Sequence, residues 1–572
     1  MRCTARILSP ILVLAVLFST VAILALPRVA TVEANGTLEV ICVPWLGDEG
    51  MPQPAYNGKE VTLKAVVRYN GAVHFEWDFG DTTNVTGAVI ATDEYPVPIE
   101  AKHTYTGPAG TEYVATLTVT ATSGDDIGDS GSDTYGVRIL DETREVKADI
   151  AVDEGLWWLC KQQYRYSDGD VDFGFWQAAA AEGLYTVAHT AAALEAFEAN
   201  NHNAAGDPTE DPYVDCVRRG LNYLTSKMEV VDLSLDPASD TNGNDIGISC
   251  YDDINHEMYE VGMAMIAIVG SGTPERVAEA GPGGVIGRTY HDIVQDMADF
   301  MAIAQNDNGG WGYWRDSGDS DNSCTQWPII GMQSAEAKWG ITIADFVRPG
   351  LETWLANTQN ANGAFGYMDN SDGLNIAKTA GAGITGLLFC GVGPDDDRIR
   401  RAIEFIDTSW YTDDEHFGSG YAMYAVAKAF CVELLNMEVI PDPGAHNWWE
   451  EYADALIPGG TWGQQAGGYW DAMYRSQSSE LTTAWMVTIL VWAGYDVPPT
   501  AVARANGFDT IEVDAGQDVN FDGSHSTNGT YEIALYEWDW ESDGVYDAEG
   551  VTASHSFAAY GNNPVTLRVT DN

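Results

Sequence analysis

Two kinds of hydrophobic pattern divide the chain into three parts. From about residue 36 to 141, apolar and polar positions alternate, most clearly over residues 61–67 and 113–119, as in half-buried β-strands. From roughly 145 to 498 the apolar positions instead recur with a helical period. Alternation returns from about residue 502 to the last residues of the chain. The pattern predicts a helical region between two β modules.

The helical region consists of predicted helix pairs. In each pair an amphipathic stretch precedes an almost wholly apolar one, which favours an outer helix packed on a buried inner helix. The outer candidates cover residues 150–161, 213–228, 290–305, 348–358, 398–410 and 448–457. The inner candidates cover residues 187–199, 259–269, 325–337, 379–390, 421–435 and 482–493. Such a series can close into a ring, with small residues such as those at 380–383 on its crowded inside.

A short motif recurs between the predicted helices. It consists of an aromatic–aliphatic pair, a Gln and a Gly-aromatic turn, and it is clearest over residues 300–311 and 354–365. A weaker copy covers residues 158–175, and the second, fifth and sixth copies are degenerate, with Met228 in place of the Gln in one of them. The recurrence predicts a repeat of helical hairpins. We expect the Gln to tie a loop to the next helix by hydrogen bonds, and the aromatic ring to seal the gap between hairpins.

This motif is similar to the QW repeat of squalene–hopene cyclases and to the repeats of protein prenyltransferase β subunits. The resemblance covers residues 145–498. It implies an (α/α)6 toroid, in which six helical hairpins form a closed ring. It implies neither family's activity by itself, because one fold carries many chemistries.

The two β modules share an aromatic and acidic signature. Residues 77–81 read WDFGD and residues 103–105 read HTY, while residues 538–540 read WDW and residues 554–557 read SHSF. These segments resemble the PKD (polycystic-kidney-disease) family of β-sandwiches, an Ig-like fold in which the Trp fills the core. The second module stops at Asn572, where one more strand is expected, so we expect the chain to be a fragment of a longer protein.

The expected fold class is therefore multidomain, with an (α/α)6 toroid of six helical hairpins between N- and C-terminal PKD-like (Ig-like) β-sandwiches. We expect a signal peptide over residues 1–34, a PKD-like sandwich over 36–141, the toroid over 145–498 and a second, shorter PKD-like sandwich over 502–572.

The N-terminal residues predict export. Basic Arg2 and Arg6 precede an apolar stretch over residues 7–26, and residues 32–34 offer a cleavage site, as in a secretory signal. An uncleaved stretch of this length could also anchor the protein in a membrane. It is the only route to a membrane that the sequence offers, since the apolar segment at 486–492 is short. We expect a secreted or cell-surface protein.

The charge balance limits the partners. The chain has 85 acidic and 28 basic residues, a net charge of -57. Such a surface repels nucleic acid and anionic membranes, and it favours solubility, high salt or bound cations. We expect no nucleic-acid partner, and a carbohydrate or a cell-surface protein instead.

The cysteines do not follow a disulfide or zinc pattern. Apart from Cys3 in the predicted signal, the chain has an odd number of them, and none forms a CxxC pair. Most lie in apolar helical stretches, for example Cys390 and Cys431. The pattern fits small buried hydrophobic residues.

The resemblance to class-II terpene cyclases implies an acid motif, DxDD, at the start of an inner helix, where a desolvated carboxylic acid protonates an alkene. Asp319 and Asp321 match its first and middle acids, but Asn322 replaces the last one. In the alternative interpretation, Asp321 or Ser323 caps the following helix.

The resemblance to prenyltransferases implies a zinc ion held by Asp, Cys and His. Asp321 and Cys324 match part of such a set with a changed spacing, and Lys378 stands where the His ligand is expected. A third toroid family, the complement-type thioester domains, needs a GCGEQ run, which this sequence lacks.

A glycan-active enzyme needs two carboxylates that face each other across a cavity, about 5–10 Å apart. Acidic residues at or near the predicted starts of inner helices are Asp253, Glu257, Asp321, Asp414, Glu415 and Glu480. The catalytic candidates for an enzyme of any of these kinds are Asp319, Asp321 and Glu257.

Aromatic residues near the predicted mouth of the ring could stack on a ligand. Trp311 and Phe365 hold motif positions, so we expect them to pack between hairpins. Tyr421 and Trp485 are further rings that a sugar could stack on. The candidates for ligand contact are Tyr313, Trp314, Trp327 and Trp470.

Two acidic loops, over residues 168–172 and 240–245, offer oxygen ligands of the kind that calcium prefers. The first contains Asp168, Asp170 and Asp172, but Ala179 stands where an EF-hand has its last ligand, and in the second loop that position is Tyr251. A solvated loop explains the pattern equally well. The sequence indicates no other cofactor.

Two classes of function remain open. The first is ligand binding or adhesion at a cell surface through the toroid and the PKD-like modules. The alternative is a secreted enzyme with its site in the toroid cavity, glycan-active or, less in keeping with the residues, similar to a terpene cyclase or prenyltransferase. An enzyme should gather at least two of the candidate carboxylates within reach of one another.

Overall fold

The computed structural model describes residues 2–571 except for 8–37, 48–50, 93–94, 125–126, 179–184, 253, 432–445, 477, 492–501, 507–509, 525, 527–532, 541, 543–545 and 559–560. The chain forms two compact units. Strand β1 (Arg2–Ile7) belongs to the smaller unit, Met1–Leu26 with Ala493–Asn572, and the larger unit is Pro27–Trp492. Residues 2–7 of the predicted signal peptide thus form β1, whereas its residues 8–34 and the candidate Asp253 lie outside the described residues.

The larger unit begins with two β-sheets packed on one core. The first sheet contains β2 (Glu39–Cys42), β4 (Glu60–Arg68) and β7 (Val97–Thr104), with β4 in the middle. The second has the order β3 (Gln53–Tyr56), β9 (Ser130–Leu140), β8 (Glu112–Ala121), β5 (Gly71–Asp78), β6 (Asn84–Ala91). Leu63, Trp77 and Leu117 are fully buried between the sheets, because successive side chains of a strand point to opposite faces.

Pairs of outer and inner helices follow. The outer helices are α1 (Arg144–Gln162), α3 (Pro212–Ser226), α5 (Tyr290–Ile303), α7 (Val347–Thr358), α10 (Asp397–Ser409) and α12 (Trp448–Leu456). The inner helices are α2 (Thr186–Glu198), α4 (Glu257–Gly270), α6 (Asn322–Trp339), α8 (Ile376–Lys378) continued through a π-helical turn (Thr379–Ile384) into α9 (Thr385–Phe389), α11 (Gly420–Phe430) and α13 (Ser479–Val491). Two hairpins, β10 (Tyr164–Asp168) with β11 (Val171–Phe175) and β12 (Met228–Asp232) with β13 (Ile246–Cys250), are inserted in the connections.

The inner helices form a closed circuit. Helix α2 packs on α4, α4 on α6, α6 on the π-helical turn, that turn on α11, α11 on α13, and α13 on α2 again. Outer helix α1 also contacts α12 and α13, so the last pair meets the first. Helices α4 and α13 are buried on almost every side, because they have neighbours on both flanks and an outer helix behind.

The Gln of the motif links one hairpin to the next. Gln305 Nε2 donates to the carbonyl oxygens of Gly309, in its own loop, and Val347, at the start of the next outer helix, at 2.8 and 3.0 Å. Gln359 makes the same pair of bonds, to Gly363 and Arg398. Both Gln side chains therefore tie a loop to the next helix, as the sequence predicts.

The sixth copy of the motif is intact, although its sequence reads as degenerate. Gln464 Nε2 donates to Gly468 O at 3.0 Å and to Ala151 O, on α1, at 2.6 Å. Its spacing from the preceding aliphatic residue is longer than in the other copies, which hides it from a search by spacing. This bond joins the last hairpin to the first.

The motif also contains a bond that the sequence pattern does not reveal. The backbone N–H of Trp311 donates to Thr325 Oγ1 on the inner helix, at 3.0 Å, and its indole N–H donates to Met301 O at 2.8 Å. Trp176 and Trp470 make equivalent pairs of bonds, so Trp176 rather than Phe175 is the motif ring of the first copy. Each ring is thereby fixed against two helices.

The N-terminal sandwich and the helical region are joined by buried charges. Lys64, which is fully buried in β4, contacts the carboxylates of Asp153 and Glu154 on α1. Arg68 reaches Asp215 on α3 at 3.0 Å. Removing one member of a buried pair leaves an uncompensated charge, so this contact fixes one arrangement of the two parts.

Two cysteines depart from the expected role of isolated buried residues. Cys160 on α1 and Cys216 on α3 have their sulfur atoms 3.1 Å apart, and Arg165 donates to both at 3.4 and 3.1 Å. The hydrogen bond to Cys216 lowers the pKa of Cys160, which raises its thiolate fraction.

The smaller unit contains a β-structure of its own. One sheet has the order β15 (Thr510–Asp514), β1, β20 (Asn562–Asp571), β17 (Ile533–Asp539), β18 (Ala548–Glu549), and the other has β14 (Arg504–Ala505), β16 (Asp518–Asp522), β19 (Thr552–Ser556). Phe521, Trp538 and Trp540 form its core.

The two β modules have the same arrangement of aromatic rings. Phe79 stacks on His103 at 4.0 Å and an angle of 7°, and Trp540 stacks on His555 at 4.7 Å and 10°. In both modules this His also packs edge-on against the aromatic residue two positions later, Tyr105 or Phe557. The signature that the sequence shows therefore corresponds to one local structure, formed twice.

Within the described residues, no helix combines the length and the hydropathy that a bilayer crossing requires.

We predict that the two hydrogen bonds of the Gln464 side chain, to Gly468 O and Ala151 O, stabilise the closed ring. Gln464→Leu removes two buried hydrogen bonds, and it should lower the free energy of unfolding by about 2–3 kcal/mol in urea denaturation. The exposed side chain of the neighbouring Gln465 makes a single long bond, to Gly463 O at 3.4 Å. Gln465→Leu is therefore the matched control and should change stability by less than about 0.5 kcal/mol. Equal effects of the two changes would contradict this role.

We also predict that refolding with glutathione disulfide joins Cys160 to Cys216, while the two thiol hydrogens reduce the glutathione disulfide to two glutathione thiols. Closing the 56-residue separation should stabilise the protein by about 4 kcal/mol in the chain-entropy account. Because all three cysteines are buried, alkylation is done in denaturant without reductant, and peptide mapping should then find Cys160 and Cys216 protected and Cys250 alkylated. Alkylation of all three would show that the pair stays reduced.

Candidate functional site

A cavity lies inside the ring, at the end where the inner helices begin. Its volume is about 320 Å³, close to the lower limit for small-molecule sites. Helices α2, α4, α6 and α13 and the loops before α2, α4 and α13 supply its lining. The lining residues are Ala178, Tyr185, Ala188, His189, His256, Tyr259, Glu260, Met263, Trp327, Arg475, Ser476, Leu481 and Trp485. We call it the ring cavity.

Another cavity, of about 360 Å³, lies by the outer helices and is lined by Gln305, Gly309 and Gly350 among others. Gln305 and Gly309 belong to the motif, and a Cβ atom at Gly350 would lie only 3.1 Å from Gln305 Nε2. This space therefore follows from the packing of the repeat. No histidine is among the residues that line it, whereas His189 and His256 line the ring cavity. The ring cavity is therefore the better candidate for a functional site.

One side of the ring cavity is a wall of aromatic rings. The centre of the Trp327 ring lies 5.6 Å from Tyr259 and 6.3 Å from Trp485, and the two indoles are within 16° of parallel. Tyr259 in turn stacks on Tyr313 at 5.9 Å. Burial raises the pKa of Tyr259 well above its usual range, so its hydroxyl stays protonated and donates to Ser323 Oγ at 2.7 Å.

This wall contains polar groups that its neighbours leave unsatisfied. The indole N–H groups of Trp327 and Trp485 are both buried and make no hydrogen bond with the described residues. The amide of Gln326, the residue before Trp327, does not line the ring cavity, and neither its oxygen nor its nitrogen is paired among the described residues. A buried donor without a partner costs about 1–3 kcal/mol, so natural proteins rarely keep several together without water or a ligand to satisfy them.

The other side of the ring cavity carries ionisable groups. His189 is buried, which lowers its pKa and keeps it neutral near pH 7. Its Nδ1 donates to Tyr185 O at 2.6 Å, so Nε2 accepts from the Ser478 hydroxyl at 2.8 Å. Glu260 is fully buried, and one of its oxygens accepts from the backbone N–H of Asp252 at 2.9 Å.

Two residues of the lining have a left-handed backbone. Tyr185 has φ 56° and Arg475 has φ 69°, although neither is a residue type that favours this region. Each such conformation costs on the order of 1–3 kcal/mol and persists only where the surrounding structure imposes it. Strain of this kind concentrates at functional sites, and here two instances meet in one cavity.

The structure assigns the cyclase-type acids to other roles. Asp321 is the N-cap of α6: one oxygen accepts from the backbone N–H groups of Ser323 and Cys324 at 2.8 and 2.9 Å. The other oxygen accepts from the Cys324 thiol at 3.2 Å. Asp319 is exposed in the preceding loop. The capping interpretation of Asp321 is therefore confirmed, and both of its oxygens are engaged.

Glu257 is buried but faces away from the ring cavity. Its carboxylate accepts from the Arg315 backbone N–H at 3.1 Å and Nε at 2.9 Å, and from Ser249 Oγ at 2.8 Å. Arg315 holds it in place, and Glu257 does not line the ring cavity. Among the other acids, Asp414 is exposed and Glu480 is half-exposed on α13.

The four predicted aromatic contacts divide evenly. Trp327 lines the ring cavity, and Tyr313 stacks at its edge, where its hydroxyl lies 3.2 Å from that of Tyr367. Trp314 is 40% exposed in the loop before α6 and does not line the cavity. Trp470 is fully buried and forms the two bonds of a motif ring, so its expected role in ligand contact is wrong.

The first of the predicted calcium loops is a β-hairpin turn. Asp168 and Asp170 are exposed at its tip, while Asp172 accepts from Ser167 and forms an ion pair with Arg219 at 3.0 Å. Across the part of the chain that the structure describes, no three His, Cys, Asp or Glu side chains are grouped so that they could hold a metal ion.

The candidates that the sequence pattern selects include none of the His, Glu and Arg residues of the lining, which are His189, His256, Glu260 and Arg475. A signal for Glu260 exists, since it lies one helical turn after Glu257 on the same apolar helix, where a charged residue is unusual. His189 is likewise a polar residue on an otherwise apolar inner helix. Arg475 lies in a loop that carries no recognisable pattern.

Comparisons with known proteins cover the C-terminal module and, remotely, the larger part of the chain. A family model described as PKD domain matches residues 497–572, and no curated protein sequence matches. A family 76 glycoside hydrolase from a bovine Bacteroides thetaiotaomicron strain is 12% identical with a TM-score of 0.42, over 80% of this chain and 98% of that one. A polysaccharide lyase is 9% identical with a TM-score of 0.32, over 80% and 65%. A β-1,2-glucanase from Parabacteroides distasonis is 10% identical with a TM-score of 0.21, over 74% and 54%.

The C-terminal module is thus a PKD domain, and it begins a few residues before the boundary expected from its strands. The structural likenesses are too remote to transfer any residue or activity to this chain.

We predict that Trp470 is a packing residue. Trp470→Ala and Trp311→Ala should each lower the free energy of unfolding by about 3–5 kcal/mol, because each change empties a filled space and removes the hydrogen bond of the indole N–H. Trp314→Ala should change it by less than about 1 kcal/mol, because that ring is partly exposed. Chemical denaturation of the three variants measures this. A Trp470→Ala variant as stable as Trp314→Ala would contradict the assignment.

Proposed function

We propose that the helical region is an (α/α)6 toroid of six hairpins and that its ring cavity is a glycan-active site in an exported modular protein. The observation that carries the proposal is the wall of Tyr259, Trp327 and Trp485, in which two buried indole N–H groups find no partner among the described residues. Sugars offer a C–H face that packs on aromatic rings and hydroxyl oxygens that accept hydrogen bonds. A bound sugar would pack on the faces of these rings, and its hydroxyl oxygens would accept from the buried indole N–H groups once the rings turn toward it.

The ionisable side of the cavity supports catalysis over binding alone. Glu260 and His256 line the same space as the rings, and either type of side chain can hold or transfer a proton. Glu260 is also fully buried. A purely adhesive protein has no need for a buried carboxyl group and two histidines around an internal cavity.

The flanking modules fit this role. The two β modules share one arrangement of stacked aromatic side chains, which supports a PKD-like assignment for the N-terminal sandwich as well. The predicted signal sequence would place the protein outside the cell, where polysaccharides occur. The net charge of -57 keeps such a protein soluble.

The cyclase and prenyltransferase activities are not part of this proposal. Asp321 uses both oxygens as a helix cap, and Cys324 donates its thiol hydrogen to it. These residues therefore have structural roles that leave neither an acid for an alkene nor a free thiolate for zinc.

Incubation of the full chain with a library of defined oligosaccharides, read by mass spectrometry, tests the proposal. Hydrolysis adds one water to the products, and elimination leaves an unsaturated sugar with ultraviolet absorbance. We expect new products from the unchanged protein. The rate of their formation should fall by at least about 100-fold in Glu260→Gln and in His256→Gln, since general acid–base groups contribute about 10²–10⁴ in rate.

The matched control is Glu404→Gln, at an exposed position on outer helix α10, which should leave the rate unchanged. Binding without turnover would contradict the catalytic part and favour the adhesion hypothesis. Turnover that survives both cavity changes would show that the chemistry takes place elsewhere, and binding of no oligosaccharide would overturn the proposal as a whole.

A further inference from the structure

Two cationic side chains lie at the mouth of the ring in a protein whose net charge is strongly negative. Arg475 lines the ring cavity, and Lys378 is the last residue of the short inner helix α8. Burial lowers the pKa of Lys378. The carboxylate of Glu415 accepts from Asn375, the N-cap of α8, at 2.8 Å and from Arg475 at 3.3 Å, so the two cations lie near one another. Glu415 offsets part of the repulsion between them, and a bound anion would offset more of it.

Lys378 is buried, with only 9% of the residue exposed. Its ammonium group makes no hydrogen bond or ion pair with the described residues, and its closest aromatic contact is the Tyr367 ring, 5.9 Å away. The lowered pKa is what an ammonium group shows when it loses water without gaining a direct bond to a carboxylate. Buried charges are ordinarily paired, so this one calls for a ligand.

The acidic residues near Lys378 are already occupied. Glu415 accepts from Asn375 at 2.8 Å and from Arg475 at 3.3 Å. Asp413 accepts from the backbone N–H of Ile376 at 2.6 Å and from that of Glu415 at 2.9 Å. Asp321, the third carboxylate whose charge reaches Lys378, caps α6. These groups offset part of the positive charge, but none of the three makes a direct bond to the ammonium group.

Arg475 also keeps capacity for a ligand. Its side chain is 54% exposed, and only one of its nitrogens contacts Glu415, at the long distance of 3.3 Å. Its backbone is left-handed, a conformation that glycine adopts without strain and a large residue does not. A guanidinium group offers a planar pair of donors that matches a carboxylate.

From this arrangement we infer that Lys378 and Arg475 form a carboxylate-binding subsite at the mouth of the ring cavity, and that the saccharide bound there is acidic, with a uronate residue. The inference rests on the proposed function and names its substrate class. The aromatic wall holds the sugar ring, and the two cations hold its carboxylate. The inner helices begin at this same end, and their N-terminal dipoles add to the positive potential.

Titration calorimetry on the full chain tests the inference with matched ligands. The probes are tetrasaccharides of galacturonate, glucuronate and mannuronate, the same compounds after reduction of the carboxylates to primary alcohols, and a sulfated tetrasaccharide. We expect at least one uronate to bind about tenfold or more tighter than both its reduced form and the sulfated compound, which is about 1.4 kcal/mol.

Lys378→Met and Arg475→Met should each weaken uronate binding about tenfold and leave binding of the reduced form unchanged. Lys378→Met should also raise the melting temperature, because it removes an unpaired buried charge, so a loss of affinity cannot be attributed to unfolding. Arg400→Met, at an exposed Arg that pairs with Asp397, is the control and should have neither effect.

Failure of the subsite and failure of the glycan site give different results. If a neutral tetrasaccharide binds as tightly as its uronate, or if Lys378→Met leaves uronate affinity unchanged, the carboxylate subsite is refuted while the glycan site stands. Tighter binding of the sulfated compound would refute the uronate class. If no saccharide binds, charged or neutral, the proposed function fails together with the inference.

Discussion

The closed ring depends on the hydrogen bonds of the motif Gln. Gln305, Gln359 and Gln464 each donate to their own loop and to the next outer helix, and Gln464 makes the bond that joins the last hairpin to the first. The ring cavity exists only because this seam is closed: His189 comes from the first inner helix and Arg475 from the last hairpin. The hydrogen bond between His189 and Ser478 spans 289 residues of sequence. Local packing within a hairpin could not bring these groups together.

The fold could be predicted from the sequence as far as its periodicity extends. Alternation and helical period predict the three parts, and the Gln of the motif has the role expected of it. The sixth copy escapes a search by spacing because such a search depends on the loop length, whereas Gln464 needs only to reach Ala151 across the seam. The sixth copy could be identified by another signal, the separation of 13 or 14 residues between the motif Trp and the Thr that its backbone N–H contacts.

The candidate site was harder to predict, because side-chain roles depend on contacts between hairpins. Glu257 is an acid at the start of an inner helix, but Arg315, 58 residues later, occupies it. Trp470 and Trp485 are both tryptophans of the last hairpin, and only the Gly-aromatic position of Trp470 marks it as a packing residue. The acidic composition points to a neutral or cationic ligand, whereas the fold brings basic side chains to the mouth of the ring. The overall composition does not predict the charge of a cavity, because only a few residues line the cavity.

The central claim is that ring closure creates a saccharide site against the aromatic wall. A crystal structure of the full chain with a bound oligosaccharide measures it most directly. We predict a sugar ring packed on Trp327 or Trp485, with a hydroxyl oxygen within hydrogen-bonding distance of an indole nitrogen. A sugar bound on a β module or on the outer helices, with only water in the ring cavity, would contradict it.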